Sequence, residues 1–267
     1  MAAKKSFSDS LVETIKTVFW ALLLAGIIRT LLFQPFWIPS GSMKSTLLIG
    51  DFLFVNKYAY GDSWASCPTI RGIDFCGFAK DADSRLWAGE PERGDIIVFK
   101  HPVSEVDFIK RLIGVPGDRV QIRDGQISIN GEPVTRQPAG TFTEIREPQG
   151  PIGSLPECKG TVGTGAVCEK DIFLETLPGG ATYATLDIAP RPADNTAIFT
   201  GPAGQYFFMG DNRDNSTDSR FRQPAGLGMV PASYLIGRAD RVMFSSAGRS
   251  ILAFWTWRGD RFFKKLD

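Results

Sequence analysis

The sequence predicts an all-β domain behind a single N-terminal membrane helix. Three observations carry this reading. Glycine (28) and proline (17) together make about a sixth of the 267 residues. They punctuate short runs in which apolar and polar residues alternate, a strand pattern. The dipeptides Asp124-Gly125 and Asn130-Gly131 each separate two such runs, where a tight hairpin needs residues tolerant of positive φ. Against this background, Val18 to Ile28 is continuously apolar and resumes after Arg29 through Leu31, Leu32 and Phe33.

Residues 1–34 read as a cytoplasmic N-terminus and transmembrane anchor. Counted from Leu11, the apolar-rich stretch reaches the roughly 20 residues a spanning helix needs. Lys4, Lys5 and Lys16 precede it and few basic residues follow directly, which places the N-terminus in the cytoplasm. Gln34-Pro35-Phe36-Trp37-Ile38-Pro39 follows the run where a signal peptide would show a small-x-small cleavage site, so the anchor is expected to stay uncleaved. Residues 35–131 and 201–267 read as the core, with strands over Asp51–Tyr60, Asp95–Lys100, Asp107–Val115, Gln205–Met209 and Leu235–Ala239. Val120, Ile122, Ile127 and Ile129 alternate around Asp124-Gly125. Residues 132–200, rich in Gly, Pro and Thr, read as an inserted β-rich lobe. The tail from Arg258 to Asp267 is basic, suited to a membrane surface or to solvent.

Composition excludes several functions. Net charge is +1, with no basic stripe interleaved with aromatics, so nucleic acid is not an expected partner. The one histidine, His101, rules out the HExxH zinc pattern. A Ser-His-Asp triad would have to use it, yet it stands in a loop before Pro102. The cysteines form two local pairs, Cys67 with Cys76 and Cys158 with Cys168, without a CxxC spacing. Two local disulfides in an oxidising compartment are therefore expected, and neither a metal nor a cofactor is.

Candidate chemistry begins at Ser42. Pro35 and Pro39 forbid a continuing helix, so Ser40-Gly41-Ser42-Met43 presents its hydroxyls on a rigid loop at the membrane exit. The GxSxG elbow is absent, since Ser40 and Lys44 occupy the glycine positions, and SxxK occurs nowhere. A lysine is then the available base. Its pKa of about 10.4 must fall, which burial among apolar groups achieves. Lys110 shares a strand face with Phe108 and Leu112; Lys57 shares one with Leu53 and Val55. Alternation alone does not choose between them. Lys100 ends its strand beside a loop, and Lys44 is close to Ser42 in sequence. A second polar run, Gly210 to Arg220, closes an aromatic strand, unusual for a mere turn.

Three stretches together resemble bacterial type I signal peptidase, the membrane-bound leader peptidase. Pro39-Ser40-Gly41-Ser42-Met43 resembles its nucleophile motif, Lys110 through Asp118 its base motif, and Gly210 through Arg220 its third signature. Their order and the preceding anchor also match. The resemblance implies a signal-peptidase-like antiparallel β fold and a Ser-Lys dyad of Ser42 and Lys110. It further implies an oxyanion hole using Ser40, a lysine-orienting Ser216, and structural support from Asp211, Arg213, Asp218 and Arg220. Phe36, Ile38, Met43, Leu47 and Ile109 would line shallow pockets for an Ala-x-Ala cleavage site. The expected activity is removal of signal peptides from secretory preproteins at the bacterial inner membrane. The catalytic domain would lie on the extracytoplasmic side, with membrane lipid and the export machinery as partners and no cofactor.

One departure is visible: many family members carry proline where Ser45 stands. The competing readings are a self-cleaving repressor, which needs a DNA-binding domain instead of a membrane helix, an organellar inner-membrane peptidase, and a tethered β-domain that binds exported chains without cutting them.

Overall fold

The computed structural model describes residues 7–31, 33–61, 63–67, 69–70, 73–74, 89–150, 152–248 and 253–266. Among the described residues one α-helix, α1 (Phe7–Leu31), leads into sixteen strands. In order these are β1 (Phe33–Trp37), β2 (Asp51–Asn56), β3 (Thr69–Ile70), β4 (Ile73–Asp74), β5 (Ile96–Lys100), β6 (Asp107–Gly114), β7 (Arg119–Arg123) and β8 (Gln126–Ile129). There follow β9 (Glu132–Pro133), β10 (Thr135–Ile145), β11 (Val167–Thr176), β12 (Thr182–Asp187), β13 (Phe199–Thr200), β14 (Gln205–Met209), β15 (Val230–Pro231) and β16 (Leu235–Ser245).

A seven-stranded sheet in the order β1-β2-β16-β5-β6-β14-β15 forms the body. Its described pairings are antiparallel. Pro35 is tolerated in β1 because that strand is a sheet edge, paired among the described residues with β2 alone. Register shifts along β16, between Ala239 and Arg241 and between Val242 and Phe244, mark bulges that curl the sheet. Asp124 and Gly125 both adopt positive φ, as do Asn130 and Gly131, and each pair closes a two-residue hairpin. The expected strand over Asp51–Tyr60 ends at Asn56. Lys57–Ala59 instead make a 3₁₀ turn, in which buried Lys57 donates to the Ser66 carbonyl.

β10, β11 and β12 form a separate sheet inside the predicted lobe, while β9 and β13 pair with β8 and β7. The lobe shares a core with the body: Leu177 and Tyr183 pack with Ile113, Val120, Phe207 and Met209. Cys158 and Cys168 are joined by a disulfide. Cys67 is also disulfide-bonded, and Cys76 lies outside the described residues.

Leu11, Ile15, Val18, Phe19, Trp20, Leu22 and Leu24 of α1 are all exposed. Among the described residues no helix is long and apolar enough to cross a membrane. From Ile27 onward the apolar run lies outside the described side chains.

The basic tail folds back onto the body. Arg261, 4% exposed, donates through two nitrogens to Asp51, and through one of them to the Thr46 carbonyl at 3.0 Å. Arg258 donates to the Ile49 carbonyl at 2.9 Å and to Ser245 Oγ at 2.8 Å. Removing one partner of such a buried pair leaves an uncompensated charge. Arg261→Ala is therefore expected to lower unfolding free energy by about 3–5 kcal/mol. Urea denaturation checks this; a loss under about 1 kcal/mol would show that the tail is not a structural tie.

Candidate active site

The turn that carries Ser42 lies between the end of β1 and β2. Ile38 N–H bonds the Asp51 carbonyl at 2.9 Å, and Leu47 N–H bonds the Met43 carbonyl at 2.8 Å. The polar run from Gly210 to Arg220 holds its other side. Asn212 donates its backbone N–H to the Ser42 carbonyl at 3.0 Å and its side-chain amide to the Gly41 carbonyl at 2.9 Å. Both carbonyls are thus held by Asn212, and Ser42 is 8% exposed.

β6 supplies the facing group. Its first residues are exposed or half-buried, and from Lys110 onward every residue is buried. Lys110 is 4% exposed, and its Nζ lies 2.6 Å from Ser42 Oγ. The Phe108 ring sits 5.4 Å from the same nitrogen. Burial holds the Lys110 pKa down to about 8; Asp218 and Asp211 oppose the shift and Arg220 assists it. An amine so poised accepts a hydroxyl proton near neutral pH. Ser40 Oγ lies 3.5 Å from Ser42 Oγ. Among the described residues no acceptor takes the Ser42 N–H.

The carboxylates near the amine are engaged elsewhere. Asp218 receives Arg220 Nε at 2.9 Å, Gly210 N–H at 3.0 Å and the Ser216 hydroxyl at 2.8 Å. These donors hold its pKa below the ordinary carboxylate value against the opposing effect of burial. Ser216 thus donates to Asp218, and its oxygen keeps acceptor capacity. Asp211 receives Arg111 at 2.9 Å through two nitrogens and the Thr46 hydroxyl at 2.5 Å. Arg213 reaches the lobe, donating to Glu175 at 2.7 Å and 2.5 Å. Tyr183 donates to the same carboxylate at 3.1 Å, and its ring lies 4.1 Å from the Arg111 guanidinium carbon.

The other weighed cations lie apart from this geometry. Lys44, 3% exposed, pairs with Glu144 at 2.5 Å, and Lys100 pairs with Asp107 at 3.2 Å. His101 Nδ1 accepts the Val103 and Ser104 N–H groups at 3.2 Å each, which organises its own turn.

A cleft of about 410 Å³ opens beside the Ser42–Lys110 contact, lined by Gln34 to Pro39 on one side and by Val98 and Val106 to Ile109 on the other. Phe36, Ile38 and Ile109 therefore border it. Met43 and Leu47, 1% and 0% exposed, pack in the core beneath with Ile38, Leu53 and Val242. Both walls present free strand edges. Among the described residues β1 pairs only with β2, and β6 meets β14 only from Arg111 onward, leaving Asp107 to Lys110 unpaired on that side.

Sequence reasoning missed Arg111, Glu175, Tyr183 and Glu144. Arg111 stands inside a recognised motif, and a charge in mid-strand is itself a signal. The lobe residues carry none, because their partners are distant in sequence.

Among known families, "signal peptidase, peptidase S26" matches residues 11–244. A signal peptidase I of Rickettsia typhi (strain ATCC VR-144 / Wilmington) is 38% identical over 246 residues, covering 88% of this chain and 82% of that protein. The signal peptidase I of Rickettsia prowazekii (strain Madrid E) is 39% identical over 246 residues, with the same 88% and 82% coverage. A crystal structure of a signal peptidase I from Enterococcus faecalis V583 is 24% identical; the match covers 56% of this chain and 96% of that one, with a TM-score of 0.30.

Gly210 is where the Ser42 turn and the Gly210–Arg220 run press together. A Cβ there would stand 2.3 Å from Ser216 Oγ and 2.6 Å from the Ser42 carbonyl oxygen. Overpacking of this kind costs about 1–3 kcal/mol, the destabilisation expected of Gly210→Ala. Gly259, whose Cβ would meet nothing within 4 Å, is the control, with a change within about 0.5 kcal/mol. Parallel urea melts compare the two, and equal stability of both variants would contradict the close approach.

Proposed function

The chain belongs to the signal peptidase (peptidase S26) family, and on that premise we propose that it is a Ser-Lys endopeptidase that cuts signal peptides from exported preproteins. The observation that carries this reading is the 2.6 Å contact between Ser42 Oγ and a buried Lys110 Nζ.

In the proposed mechanism neutral Lys110 takes the Ser42 hydroxyl proton as the oxygen attacks the scissile carbonyl carbon. The C–N bond then breaks, and Lys110 returns the proton to the leaving amine. Water deprotonated by Lys110 releases the acyl group from Ser42. The Ser42 N–H and the Ser40 hydroxyl serve the oxyanion, where each donor is worth about 3–4 kcal/mol in the transition state. The Ser216 oxygen, fixed by its bond to Asp218, is assigned the orientation of the amine. Asp211, Arg213, Asp218 and Arg220 hold the wall.

The substrate is assigned to the cleft as an added strand between the edges of β1 and β6. Alternate side chains of such a strand face one way. Phe36, Ile38 and Ile109 then bound shallow pockets suited to small residues, with Met43 and Leu47 as the floor, which supports an Ala-x-Ala preference. The 25-residue α1, with its exposed apolar side chains, is assigned the role of anchor in the bacterial inner membrane. The lysines before it stay in the cytoplasm, and the β domain lies on the extracytoplasmic side. Membrane lipid and the export machinery are then its neighbours, and the disulfides suit that compartment.

Cleavage of a preprotein whose signal ends in Ala-x-Ala, in detergent, tests the reading. Ser42→Ala and Lys110→Ala are expected to lose at least about 10³-fold in kcat while remaining folded. Because the protonated amine cannot accept a proton, wild-type kcat/KM should fall as pH drops through the Lys110 value of about 8 and level off above it. Unchanged cleavage by both variants would refute the dyad. Preprotein binding without cleavage by the wild type would leave a tethered binding domain.

A further inference from the structure

The lobe reaches the nucleophile turn through Lys44, two residues beyond Ser42. Lys44 Nζ lies 2.5 Å from Glu144 Oε2 and 2.8 Å from Gln149 Oε1, and Gln149 donates its amide to the same Glu144 oxygen at 2.8 Å. Lys170, fully buried, stands 3.0 Å from Glu144 Oε1. One carboxylate therefore answers two buried ammonium groups. The lysine stem folds back under the turn, with its Cε 3.5 Å from where a Cβ on Gly41 would lie. Gly41 precedes Ser42, so the lysine stem lies against the turn that carries Ser42.

Glu144 is itself fixed. It sits opposite Cys168 in the β10–β11 ladder, and Cys168 is tied to Cys158. Apolar residues of similar volume would hold lobe and body together at least as firmly as a buried ion pair, so packing alone does not account for the charges. What an ion pair adds is one defined geometry.

We propose that Glu144 is a positioning residue for the nucleophile: by gripping the Lys44 ammonium from the lobe, it fixes the turn that carries Ser42. This rests on the reading of Ser42 as nucleophile. Asn212 holds the turn at the Gly41 and Ser42 carbonyls, and Glu144 holds it at Lys44. Losing one hold displaces Ser42 Oγ relative to Lys110 without touching either reacting group.

The test is preprotein cleavage by the full chain in detergent, with thermal melts to score folding. Glu144→Gln and Lys44→Met should each lower kcat about 10- to 100-fold, the loss expected of a displacement near 1 Å. KM should move less than about threefold, because substrate binding is untouched. The acid limb of the pH profile should stay in place. The double variant should fall no further than the worse single one, since both act through one contact. Lys159→Ala, at an exposed lobe pair with Asp171, should cleave as wild type. Lys44→Met leaves Glu144 paired with Lys170, so it decides the matter if Glu144→Gln fails to fold. Wild-type kcat in folded Lys44→Met, with Ser42→Ala inactive, overturns the positioning role alone. Additive losses in the double variant overturn it too. Full cleavage by Ser42→Ala instead overturns the reading beneath it.

Discussion

On the proposed reading one constraint governs the site: an amine must stay buried and neutral within 2.6 Å of a serine hydroxyl. Burial alone pushes a lysine toward the free base, and any loose carboxylate nearby would pull it back. Two carboxylates are within range of Lys110, and both raise its pKa. Each is bound to an arginine, Asp218 to Arg220 and Asp211 to Arg111. The ion pairs of Asp218 and Asp211 therefore have an electrostatic purpose as well as a structural one. They let acidic residues brace the wall while limiting how far they favour the ammonium.

The same constraint explains why the site draws on so much of the chain. A short contact between two elements distant in sequence needs both fixed from behind. β6 is fixed as a central strand between β5 and β14. The Ser42 turn is fixed by Asn212, by the Asp51–Arg261 tie of the C-terminal tail, and by Glu144 of the lobe. The lobe also supplies Glu175 to Arg213, so it is part of the wall and shares its core. The cleft lies where this framework leaves two strand edges unpaired, β1 and the start of β6.

What was legible in the sequence was local. The hairpin turns at residues 124–125 and 130–131 followed from turn chemistry, and the short spacing of Cys158 and Cys168 matched their bond. Alternation along β6 placed Lys110 beside Phe108 but gave Lys57 an equal claim. The difference is tertiary, since Lys57 turns to the Ser66 carbonyl. The strand expected to reach Tyr60 stops at Asn56 for the same reason. The partners of Arg213 and Lys44 lie 38 and 100 residues away. Such pairs carry no periodicity, which is why the sequence gives no sign of them. Met43 and Leu47 were apolar and near the serine, but apolar character does not separate a pocket wall from the core under it.

The most direct test of a buried, neutral base is to titrate it. NMR on protein labelled at the lysine side chains, with Lys110 assigned by substitution, reports its pKa without reference to any substrate. The account predicts a midpoint near the value of about 8 that burial imposes. A midpoint at the ordinary lysine value of about 10.4 would mean that the amine is solvated or held by a carboxylate, and that Ser42 has no base at this position.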